Sequence, residues 1–80
     1  MNADQFRKLT SLQQVEIIFE NGQEIMSRVF VFYSIRLYVL YDFFVEVWYR
    51  QTSLKIDRII LLKEEDVMDI YEKQIELPEF

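Results

Sequence analysis

The chain contains no cysteine, no histidine, a single glycine (Gly22) and a single proline (Pro78) among its 80 residues. Without cysteine there can be no disulfide, no thiol nucleophile and no thiolate metal site, and the lack fits a reducing cytoplasm. Without histidine the side chain best suited to proton transfer near neutral pH is gone. One glycine is too few for a phosphate-cradling loop. Carboxylates remain the only catalytic raw material. Glu65, Asp66 and Asp69 recur at helical spacing, but the pattern of a calcium loop is missing, and an acidic helix start facing water accounts for them. Asp42 and Glu46 could suggest hydrolysis, but they lie on adjoining strand positions and the sequence marks no pocket for them. The sequence therefore predicts no enzyme, no catalytic residue, no metal and no cofactor.

Nor is there a segment suited to a membrane. Residues 29–49 are long and oily, yet Arg36, Asp42 and Glu46 interrupt them, and each charge near a helix centre costs roughly 2.5–3.5 kcal/mol on insertion scales. The net charge of −5 is uneven. Residues 1–63 carry eight basic and seven acidic groups, whereas residues 64–80 carry seven acids against Lys73 alone. Such an acidic end repels phosphate backbones, so nucleic acid is not an expected partner.

What the chain has is β-branched and aromatic residues. Residues 25–49 hold nine of its thirteen aromatics, a composition that suits a pleated, half-buried surface. Ahead of this run, Leu12, Val15, Ile18 and Phe19 recur at helical spacing, Ser11 and Gln14 have the form of a capping box, and Asn21-Gly22 closes the helix in the left-handed conformation. After Gly22 the period shortens to two. The reading is an α+β fold of one domain over 1–80: a helix over 11–21, a four-stranded antiparallel meander (24–33, 35–41, 43–50 and 54–61) and a C-terminal helix over 64–75. Phe6 and Leu9 fold back onto the core. The fourth strand alternates poorly around Asp57 and Arg58, which a bulge would reconcile.

Alternation assigns Ile35, Leu37, Val39, Tyr41, Phe43, Val45 and Val47 to a sheet face covered by the helices. The opposite face then carries Arg28, Phe30, Phe32, Arg36, Tyr38, Leu40, Phe44, Glu46, Trp48 and Arg50. Arginine stems could shield those rings in water, but their combined area approaches the largest apolar patch usual on a monomer. Aromatics beside arginines also stack nucleic-acid bases, but the basic-Gly-aromatic motif of that sheet is absent.

The segment Tyr41-Asp42-Phe43-Phe44-Val45-Glu46-Val47-Trp48-Tyr49, together with Tyr71-Glu72-Lys73-Gln74-Ile75-Glu76-Leu77, resembles a family of short uncharacterised bacterial proteins. The similarity covers most of residues 6–77. It implies the same helix–meander–helix order and a bacterial source, and it implies no activity or functional residue. The chain departs from that family at Tyr41-Asp42, where the family has a glycine, and at Arg50-Gln51, where it has Asp-Pro.

Together these features predict a non-enzymatic, cytoplasmic protein-interaction module. It would self-associate as a homodimer through an aromatic and arginine-rich sheet face or a sheet edge. Phe30, Phe32, Arg36, Tyr38, Phe44 and Trp48 are the expected partner-binding residues. The alternative is an inhibitor or immunity-type protein whose acidic residues 64–79 bind a basic partner.

Overall fold

A computed structural model describes residues 1–72. The elements run α1 (Ala3–Arg7), α2 (Ser11–Asn21), β1 (Gln23–Phe30), β2 (Tyr33–Leu40), β3 (Phe43–Arg50), β4 (Ile56–Leu62) and α3 (Glu64–Tyr71). The strands pair antiparallel in the order β1-β2-β3-β4, the meander that the run of short turns predicts. The α+β class and the element order agree with the sequence reading. The expected helix over 64–75 begins where its acids do, and 73–75 lie outside the described residues.

Each helix start is fixed by a local exchange of hydrogen bonds. Asn2 and Gln5 cap α1 reciprocally at 2.8 and 2.9 Å. The box at α2 lies one residue earlier than expected: Thr10 and Gln13 form it, at 3.2 and 3.0 Å. Residues 4–9 do not extend α2; α1 is a separate turn that delivers Phe6 fully into the core. The Gln14 side chain donates to the Phe6 carbonyl at 3.1 Å and ties the two helices together. The buried stripe of α2 centres on Ile18, with Ile17 beside it, and leaves Leu12 and Phe19 largely exposed.

Gly22 corrects one expectation. Its φ of −81° and ψ of 152° are extended, not left-handed. Glycine is needed for proximity instead, since a Cβ there would lie 2.5 Å from the Ile18 carbonyl oxygen.

The turns decide which residues share a face. Val31-Phe32 and Tyr41-Asp42 are two-residue hairpin loops that set Phe30 opposite Tyr33 and Leu40 opposite Phe43. A two-residue loop inverts parity, so even positions of β2 lie beside odd positions of β3. The expected face, which put odd positions of both strands together, is therefore wrong for β2. On the first face, Tyr38, Leu40, Phe43, Val45 and Val47 pack with Phe6 and Ile18 under α1 and α2. On the second, Ile35 and Leu37 are fully buried beside Glu46 and Trp48. β4 begins two residues later than expected. Its register slips between Arg58, opposite Trp48, and Ile56, opposite Tyr49, so Asp57 is the extra residue of the predicted bulge.

Three non-glycine residues take positive φ: Val31 (54°), Tyr41 (56°) and Leu54 (60°). Two open the hairpin loops, where a primed turn requires that conformation. A chain with one glycine has to place side chains there. Val31, being β-branched, is the most strained.

Candidate functional site

The second sheet face is built around a charge. Glu46, in the middle of β3, is 1 % exposed. Four donors surround its carboxylate. Arg28 of β1 contributes Nε to Oε2 at 3.1 Å and Nη2 to Oε1 at 3.4 Å. Trp48 Nε1 donates to Oε1 at 3.2 Å, and Tyr71 Oη of α3 donates to Oε2 at 2.6 Å. Among the described residues no buried side-chain polar atom lacks a partner. A buried ion pair holds only when its remaining lone pairs are satisfied in this way.

Titration follows the same contacts. Burial works against the Arg28 charge, but the Glu46 carboxylate outweighs it and holds the guanidinium above its ordinary pKa. Burial, then the hydrogen bond to Glu46, pushes the Tyr71 phenol well up from 10.0. On the first face burial alone leads, raising Tyr38 to about 12.

Trp48 is enclosed by neighbours on this same face. The guanidinium carbons of Arg28 and Arg58 stand 5.4 and 5.6 Å from its ring centroid. The rings of Tyr33 and Phe30 meet it edge-on at 5.2 and 6.1 Å. Tyr33 Oη donates to Asp57 Oδ2 at 2.7 Å, and Arg50 Nε lies 3.4 Å from the same oxygen. The Tyr33 bond, followed by the arginines, holds Asp57 below the usual carboxylate range. Arginines interleaved with rings thus serve as covers for those rings.

The six expected contact residues do not form one surface. Tyr38 is 8 % exposed on the helix-covered face, and Trp48 is 9 % exposed on the opposite one. Phe44 shares the face of Trp48 and is half-buried. Arg36 is exposed on the first face, stacked over Tyr49 at 5.5 Å and paired with Glu24 at 3.4 Å. Phe32 belongs to a turn and not to a strand. Phe30 and Phe32 alone of the aromatic five are largely exposed, and they lie together at the β1–β2 hairpin.

There they belong to a patch that alternation did not single out. Val29, Phe30, Val31 and Phe32 are 67, 51, 63 and 74 % exposed, and Ile25 is exposed further along β1. β1 is an edge strand, with β2 on one side and, among the described residues, no neighbour on the other. Four consecutive apolar residues were visible in the sequence, but their exposure depends on the loop falling at 31–32. On α3, Glu64, Glu65, Asp66 and Asp69 are exposed. Asp66 accepts from the Lys63 backbone N–H at 3.1 Å, so it serves the helix start. Among the described residues, no group of three or more acidic side chains is arranged to hold a metal ion. No described helix is long and apolar enough to cross a membrane.

No family model, curated protein or solved structure matches the chain.

Proposed function

We propose that this chain is a non-enzymatic protein-interaction module whose partner is a second copy of itself, docked on the β1 edge and the β1–β2 hairpin. The observation that carries the proposal is the exposed run Val29-Phe30-Val31-Phe32 beside a strand edge that has no partner among the described residues. An edge of this kind offers a row of free N–H and C=O groups and is a template for a further strand. Protecting edges usually calls for lysine, proline, a bulge or inward charge; β1 contains no lysine or proline, its inward Arg28 is matched by Glu46, and its irregularity lies at the far end, between Glu24 and Met26. Chemistry is absent from the proposal because Glu46, the most enclosed carboxylate among the described residues, already accepts from four donors. A cytoplasmic location belongs to the same reading and agrees with the cysteine-free sequence.

Sedimentation equilibrium tests it. The wild type is expected to shift from monomer to dimer over the micromolar range, and Phe32→Ser to remain further toward monomer at equal concentration. A wild type that stays monomeric at millimolar concentration would overturn the proposal. A second reading is favoured by the exposed acids of α3: Glu64, Glu65 and Asp69 enter no ion pair among the described residues. If that face captures a basic partner, binding weakens steeply with salt, whereas association through β1 hardly responds.

A further inference from the structure

β1 carries exposed Ile25 and Val29 two residues to either side of Ser27, and we infer that two copies pair their β1 strands antiparallel across a two-fold axis at Ser27, joining the sheets into one of eight strands. This rests on the proposed self-association and specifies its geometry. Phe30 and Tyr33 flank a two-residue loop and so form a hydrogen-bonded pair, as do Arg28 and Ile35 two positions on. Val29, between Phe30 and Arg28, and Ser27, just beyond Arg28, consequently turn their N–H and C=O outward, away from β2. A ladder formed by these outward groups with a second β1 has two-fold symmetry when Ser27 faces Ser27.

The side chains fit that register. Ser27 opposite Ser27 sets Val29 opposite Ile25 of the second copy, and Ile25 opposite its Val29. Both are exposed β-branched residues, the kind that pair well across strands. Two small serines at the axis leave room for these four side chains to meet. No like charges face each other: Arg28 stands opposite Met26, and Glu24 opposite Phe30. The ladder is short, since the register of β1 on β2 shifts between Glu24 and Met26.

Because the chain has no cysteine, Ser27→Cys introduces a single thiol. Paired residues of this kind have Cα atoms about 5.5 Å apart, inside the roughly 4.4–6.8 Å that a disulfide spans. Under mild oxidation Ser27→Cys should become a covalent dimer, while Ser53→Cys in the β3–β4 loop should not. Val29→Lys, checked for an unchanged circular-dichroism spectrum, should weaken the dimer by at least about tenfold, as a charge placed on a pairing edge does. A non-covalent dimer that resists Ser27→Cys cross-linking and tolerates Val29→Lys would overturn the register and leave self-association standing. A chain monomeric throughout would defeat both.

Discussion

The two faces of this sheet are closed by different means. Under α1 and α2 the closure is apolar, with Phe6 and Ile18 set among Tyr38, Leu40, Phe43, Val45 and Val47. Beneath α3 it is a charge, with Arg28, Trp48 and Tyr71 all bonded to Glu46. Apolar packing is non-directional and tolerates exchange of similar shapes, whereas a buried carboxylate accepts only donors in fixed places. An eight-residue helix buries too little to hold itself by area, and one phenol aimed at one carboxylate fixes where it sits.

The largest effect should come from cutting the charge centre. Glu46→Ala leaves Arg28 and two further donors buried without a partner, a change expected to cost about 3–5 kcal/mol in urea unfolding. Replacing both members, as in Arg28→Met with Glu46→Leu, should recover most of that loss, because the penalty lies in the uncompensated charge. A loss below about 1 kcal/mol for Glu46→Ala would show the two faces to be equivalent after all.

Tyr71→Phe removes one donor and keeps the ring. It should cost about 1.5–3 kcal/mol, the range for a hydrogen bond to a charged group. Hydrogen exchange in α3 should quicken while α2 is unchanged.

Alkaline pH sharpens the contrast further, since each face holds one buried tyrosine whose pKa is raised on folding. A raised pKa means the contribution is complete below the unfolded value near 10.0 and is lost as pH rises toward the folded value. Stability should therefore fall between pH 10 and about 12, the value reached by Tyr38. Tyr38→Phe and Tyr71→Phe should each flatten that fall in urea titrations.

The smallest effect has the opposite sign. Val31→Gly relieves a β-branched residue at φ 54° that makes little contact, and should raise stability by roughly 0.5–1 kcal/mol after the entropy of glycine is counted. The same change at Val29, which is extended, should lower it.

Periodicity and punctuation sufficed for the α+β order, the bulge in β4 and the start of α3. They failed at parity. Whether Tyr38 lies with Val45 or with Trp48 depends on a loop of two residues against one or three. Tyr41-Asp42 and Val31-Phe32 lack the glycine that marks such a loop. One misplaced residue turned every side chain of β2 over, and with it the single aromatic surface expected for Tyr38, Phe44 and Trp48. Glu46 was legible as a lone acid in an apolar strand, but its bond to Tyr71 spans 25 residues and no local pattern carries it. The Val29–Phe32 run was equally visible, and only the edge position of β1 gave it meaning.

With Tyr38 and Trp48 enclosed in the single subunit, the proposed docking surface is the β1 edge, whose outward amides have no strand partner among the described residues. Amide hydrogen exchange at Ser27 and Val29, followed by NMR from dilute to concentrated protein, tests this most directly. Their protection should rise with concentration while that of Val45, inside the sheet, stays constant. Exchange at both sites that is rapid and indifferent to concentration would contradict it.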